Sequence, residues 1–97
     1  MRVVAYSFLR AYVEGGHSDT ALPLKDWNRR ATKAEWARFA DVKAEFPSVD
    51  QAWDRLISNI GGNKYRMVCV VDYERHGLLV RFIGTHAEYD RIDVRTV

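Results

Sequence analysis

Lys64, Arg66, Arg81, His86 and Tyr89 are the side chains of this sequence whose types and spacing could carry chemistry. Together they supply fixed cations, a titratable imidazole and a phenol. No carboxylate pair and no nucleophile triad accompanies them. Arginine forks onto phosphate oxygens, imidazole moves a proton near neutral pH, and tyrosine stacks on a base or holds a phosphate. RNA brings its own nucleophile, the 2′-hydroxyl. A protein need only align that group for in-line attack, take its proton and stabilise the extra negative charge on the phosphate. The set therefore fits metal-independent RNA cleavage, and it fits plain RNA binding equally well. The histidines at 17, 76 and 86 are too scattered to indicate a metal site, and no cofactor is expected.

A sheet must bring these residues together. The stretch "KYRMVCVVDY" (64–73) puts Tyr65, Met67, Cys69, Val71 and Tyr73 on one face. Lys64, Arg66, Val68, Val70 and Asp72 take the other. In "LLVRFIGT" (78–85), Leu78, Val80, Phe82 and Gly84 alternate with Leu79, Arg81, Ile83 and Thr85. A turn closing between Tyr73 and Leu78 sets Val70 opposite Arg81 and Arg66 opposite Thr85. The first set, with Leu78, Val80 and Phe82, then forms a dry face for helices. Lys64, Arg66 and Arg81 gather on a bare cationic face. A slip of one residue would bury Arg81, which favours this register. Thr85 and Glu88 form a capping box, so a short helix should follow and present His86 and Tyr89 beside Arg66. The ordinary readings are a solvated sheet face for the arginines, a flanking charge for Lys64 and a cap residue for His86.

Upstream, "RVVA" (2–5) reads as a strand. Ser7 can cap a brief helix, "FLRAYVE", which Gly15-Gly16 ends. Leu24, Trp27, Asn28 and Ala31 recur at helical spacing, predicting an amphipathic helix from about Ala21 to Thr32 with Pro23 in its first turn. "DVKAEF" predicts one or two helical turns before Pro47. "RLISNI" and the Gly61-Gly62-Asn63 turn begin a three-stranded antiparallel meander. The expected fold is a small α+β domain: an N-terminal strand, two helices packed on one face of a mainly antiparallel sheet, and a short C-terminal helix.

Ninety-seven residues suit a single domain spanning 1–97, and an apolar content of 47% is that of a folded chain. Cys69 has no partner for an internal disulfide, which points to a reducing cytoplasm. No apolar run approaches the ~20 residues that span a bilayer, and the start is too short and charged for a secretion signal. Residues 1–54 carry eight basic and eight acidic side chains, whereas residues 55–97 carry seven and five. The net +2 therefore lies in the half that holds the candidate site, a weak pointer to a polyanionic partner.

"NIGGNKYRMV" (59–68) together with "RFIGTHAEYDRID" (81–93) closely resembles the HigB family of toxins from type II toxin–antitoxin modules, within the wider RelE/ParE superfamily. "RVVA", "PLKDW" and "FADVKAEFP" extend the similarity over nearly the whole chain. The resemblance implies a RelE-like α+β fold and a ribosome-dependent endonuclease that cuts translated mRNA in the 30S A site. It implies neutralisation by a HigA-like helix-turn-helix antitoxin, with operator DNA bound only through that antitoxin. On this pattern His86 is the acid or base, Arg66 the transition-state cation, and Tyr89 stacks on or orients substrate. Lys64, Arg81 and Asn59 are assigned to substrate binding. Two other functions remain open: a gyrase-inhibiting toxin like the ParE branch, and an inactive antitoxin-binding module.

Overall fold

The computed structural model describes residues 1–97. The chain begins with strand β1 (Arg2–Val4) and turns at once into helix α1 (Tyr6–Glu14). Ala5 makes that turn in the left-handed region, at φ 67°, and Phe8 N donates to its carbonyl at 3.0 Å. Ser7 therefore lies inside the first turn of α1 and does not cap it. Gly15 and Gly16 stop the helix, Gly16 at φ 108°, a conformation that favours glycine. After one 3-10 turn at Ser18–Thr20 comes helix α2 (Ala21–Lys33). Leu24, Trp27 and Ala31 recur along one side of α2 and are buried, while the charged residues face out. Helix α3 (Phe39–Glu45) is short, and Asp41 Oδ2 accepts from the backbone N–H of Ala37 and Arg38 at its start.

Five strands form one sheet in the order β1-β5-β4-β3-β2. β3 (Arg55–Ile60), β4 (Tyr65–Asp72) and β5 (Gly77–Thr85) are the expected antiparallel meander. β1 lies parallel to β5 at one edge. At the other edge is a strand that the sequence pattern does not announce, β2 (Asp50–Ala52). Its turn into β3 is made by Trp53 and Asp54, with Trp53 at φ 56°, where glycine or asparagine would be the usual signal. Helix α4 (His86–Tyr89) follows β5 directly. The architecture is the expected α+β arrangement, with helices on one face of a mixed, mostly antiparallel sheet.

The helix-facing side carries Leu56, Ile60, Tyr65, Met67, Cys69, Val71, Leu78, Val80 and Ile83, all buried with Leu9, Leu24, Trp27 and Ala31. Burial pushes the Cys69 thiol up to about 12, so it stays a neutral, inert member of this core.

The β4–β5 register differs from the one read off the sequence. Val71 pairs with Leu78 and Cys69 with Val80; past a bulge, Val68 pairs with Phe82 and Arg66 with Gly84. Arg81 is the residue left over. The bulge lets the apolar alternation slip by one without carrying Arg81 inward. Ile83 replaces Phe82 on the helix side, and Phe82 moves to the opposite face. The sequence reading treated such a slip as forbidden because it assumed an unbroken ladder.

The opposite face, expected to be bare, is crossed by the chain. Val97 O accepts from Arg55 Nη2 at 3.1 Å and from Arg81 Nε at 3.2 Å, so the segment after α4 returns across it. Ile57 and Val68 on this face are buried yet lie outside the main core cluster.

Candidate functional site

Arg66 stands at the middle of the candidate site. It points away from the helices, directly across the ladder from Asn59 on β3 and Gly84 on β5. The Arg66 guanidinium carbon lies 4.8 Å from the centroid of the Tyr89 ring. Tyr89 in turn sits 6.4 Å from the Phe82 ring, centroid to centroid. Arg66 Nε is buried and has no hydrogen-bond partner among the protein's own groups. A buried charged donor without an acceptor is uncommon away from binding sites.

The turn that delivers Tyr89 is held at both ends. Glu88 N donates to Thr85 Oγ1 at 3.2 Å, and Thr85 N donates to Glu88 Oε1 at 2.8 Å, the reciprocal capping box expected from the sequence. The Thr85 backbone N–H holds the Glu88 carboxyl below its usual range, with the Thr85 hydroxyl second. Gly84 is required immediately before it. A Cβ there would meet Phe82 Cζ at 2.7 Å and Glu88 Oε1 at 3.1 Å, so α4 folds back only over a residue without one. His86 opens the helix, half-buried, and its Nε2 also lacks a partner within the protein. Within four residues the chain thus sets an imidazole and a phenol at the end of β5, with the phenol on Arg66.

The six candidate residues divide into those that gather and one that does not. Arg66, Tyr89 and Asn59 share one face and one end of the sheet, and His86 belongs to the same turn as Tyr89. Asn59 Nδ2 makes a long contact of 3.5 Å to Asn63 Oδ1. Arg81 lies on that face too, exposed at the bulge and bound to Val97 O. Lys64 departs from expectation. It belongs to the β3–β4 turn, not to the strand, and its Nζ lies 2.6 Å from Asp19 Oδ2 on the helix side.

That pair belongs to a separate cluster. Tyr65 Oη donates to Asp19, the Tyr12 and His17 rings stack at 3.8 Å, and Tyr65 stands edge-on to both. Lys64 and then Tyr65 hold the Asp19 carboxyl below its usual range, and Asp19 raises Lys64. Burial is the main cause pushing the Tyr12 phenol up to about 12. The period-two reading extended β4 one residue too far and so put Lys64 on the wrong face.

Arg55 is a residue the sequence reading passed over. It pairs with Val70, so it faces the same side as Arg66 and donates to the same main-chain oxygen as Arg81. The signal was present: counting back from the Gly61-Gly62-Asn63 turn, Asn59, Ile57 and Arg55 alternate on the Arg66 face. No cluster of three or more His, Cys, Asp or Glu side chains is placed to hold a metal ion. A cavity of about 360 Å³ lies between α2, the loop after α3 and β3, and of the candidate residues only Asn59 lines it. Its charges satisfy one another, Arg30 bonding Glu45 at 3.3 Å and stacking on Phe46 at 4.1 Å.

Fold and site thus define a small α+β protein with a cationic, aromatic patch at one end of its sheet. Residues 20–92 match the family HigB_toxin, described as the RelE-like toxic component of a toxin-antitoxin system. The chain belongs to that family. It is 40% identical over 52 residues to the mRNA interferase toxin HigB of Escherichia coli strain K12, and equally to the mRNA interferase HigB of Shigella flexneri. Those matches cover 50% of this chain and 50% of each relative, so the similarity spans about half the length of these curated relatives. A further mRNA interferase HigB, from E. coli O6:H1, is 24% identical over 79 residues, covering 78% of this chain and 77% of the relative.

Proposed function

We propose that this protein is a toxin that cuts mRNA on the translating ribosome. The substrate's 2′-oxygen attacks the adjacent phosphate, and the bond to the 5′-oxygen of the next nucleotide breaks. One fragment is left with a 2′,3′-cyclic phosphate and the other with a 5′-hydroxyl. His86 serves at one end of the proton transfer, either taking the 2′-hydroxyl proton or protonating the leaving oxygen. Arg66 stabilises the charge that builds on the phosphate, and Tyr89 orients the substrate. Arg81 and Asn59 position it along the same face. Lys64 joins them only by exchanging Asp19 for a phosphate.

The observation that carries this reading is Arg66 stacked on Tyr89 with a buried, unpartnered Nε, beside the turn that holds His86. The names of the relatives point the same way. We assign the chain 1–97 as one toxin domain acting in the cytoplasm, neutralised by a HigA-like helix-turn-helix antitoxin through which alone operator DNA is bound. No helix is long and apolar enough to cross a membrane.

The test is reconstituted translation with the purified chain, on a message with and without a working start codon. The reading requires cuts in the translated message only, with cyclic-phosphate and 5′-hydroxyl ends. Intact messages alongside broken DNA in cells would indicate gyrase inhibition. Neither effect would leave an antitoxin-binding module.

A further inference from the structure

The segment that crosses the sheet face is held by two hydrogen bonds and one cation–π contact. Val97 O takes hydrogen bonds from Arg55 and Arg81 at 3.1 and 3.2 Å, and the Arg95 guanidinium lies 5.0 Å from the centroid of the Trp53 ring. The segment is pre-folded for this. Asp93 O accepts from Thr96 N and Val97 N, both at 3.1 Å, and Asp93 Oδ1 accepts from Arg95 N at 3.0 Å.

Its counterparts on the body of the protein are unusual as purely structural residues. Trp53 is 65% exposed and held at φ 56°, an uncommon conformation for so bulky a side chain. Arg55 is 16% exposed, bonds Asp54 Oδ1 at 2.6 Å, and keeps a buried Nε without a partner. Two guanidinium groups converging on one oxygen is how a phosphate oxygen is held. An exposed indole under a flat cation is a surface on which a base stacks.

We propose that Trp53, Arg55 and Arg81 form a second nucleotide subsite for single-stranded RNA, and that residues 93–97 cover it as an internal stand-in. The Val97 main-chain oxygen takes the place of a phosphate oxygen, and the Arg95 guanidinium takes the place of a base. The inference rests on the RNA-cleavage reading and extends it along the strand. Arg55 pairs with Val70, four residues along β4 from Arg66, or about 13 Å at the usual strand rise. Arg66 is turned onto Tyr89 while Arg55 and Arg81 are turned together onto Val97 O, so on this proposal the two positions engage different nucleotides. RNA enters the second position when the segment lifts.

The probe is a short single-stranded 2′-O-methyl oligoribonucleotide, which lacks the attacking hydroxyl and is bound without being cut. Trp27 and Trp36 are buried, so a change in tryptophan fluorescence reads Trp53. Binding should quench that fluorescence, and Trp53→Leu should weaken binding about tenfold. Arg55→Gln should flatten the plot of log affinity against log salt by about 0.7, one phosphate contact on a single strand. Arg55→Lys guards against a folding defect, because it keeps the stem and charge and should keep the slope while lowering affinity. Deleting residues 93–97 should tighten binding by the inverse of the fraction of molecules already uncovered. An unchanged slope in Arg55→Gln with no quenching, while Arg66→Ala still weakens binding, would remove the subsite and leave the cleavage reading standing. Quenching by an antitoxin but not by the oligonucleotide, with or without residues 93–97, would also overturn it. Normal subsite binding with uncut translated messages would instead sink the cleavage reading alone.

Discussion

Arg66 and Tyr89 are 23 residues apart in the chain, and the guanidinium carbon lies over the ring, 4.8 Å from its centroid. The stack depends on three features: a bulge at Arg81, a glycine at 84 and a capping box at Thr85–Glu88. It holds the arginine in one orientation before any ligand arrives, which is what electrostatic stabilisation of a transition state requires.

Arg66→Ala should lower cleavage of translated message about 10²–10³-fold, the range for losing one pre-organised charge-stabilising group. Tyr89→Phe keeps the ring beneath the guanidinium and should fall much less than Tyr89→Ala. Single-turnover rates on programmed ribosomes measure both. Equal losses for the two Tyr89 variants would assign the hydroxyl, not the ring, as the functional part.

His86→Gln should slow cleavage about 10²–10⁴-fold if the imidazole moves a proton. The loss should come with a changed pH–rate profile, in which one limb disappears. A small loss with the profile intact would make His86 a positioning residue at the start of α4.

Gly84→Ala places a methyl group 2.7 Å from Phe82 Cζ. Overpacking of this kind costs about 1–3 kcal/mol, and the ring that must yield is the one against Tyr89. Chemical denaturation should show the destabilisation, together with loss of activity greater than the unfolded fraction explains. Wild-type activity in this variant would mean the Phe82–Tyr89 contact is not needed.

Much of this was legible from alternation and turn chemistry. The helix breaks at Gly15-Gly16, the Gly61-Gly62-Asn63 hairpin and the Thr85–Glu88 box are local signals, and each marks an element the structure contains. Three features were not legible. The bulge at Arg81 depends on packing Ile83 inward, which no residue in the strand announces. The β2 strand depends on Trp53 adopting a conformation usually taken by glycine. The return of residues 90–97 depends on Arg55 and Arg81 finding one main-chain oxygen across 42 and 16 positions of chain. Local propensity speaks to none of these, because each is decided by contacts distant in sequence.

Acid should loosen the protein through the surface carboxylates held below their ordinary range, Asp19 and Glu88 among them. Asp19 and Glu88 both have folded-state values depressed below the ordinary range, by Lys64 and Tyr65 in one case and by Thr85 in the other. A depressed group contributes stability above its unfolded value, about 4, and loses it as pH falls through the folded value. The thermal midpoint should therefore drop as pH falls below about 4, and less steeply in Asp19→Asn. An identical slope in that variant would show that the Asp19–Lys64 pair is screened out in solution.

The most direct test of the account maps 5′ ends along an abundant message after induction of the wild-type chain or Arg66→Ala. Each is compared with the same message carrying a disabled start codon. New 5′-hydroxyl ends are expected only in the translated message and only with the wild type, while both chains still bind the antitoxin. Equal cutting by Arg66→Ala, or cuts that persist without translation, would contradict it.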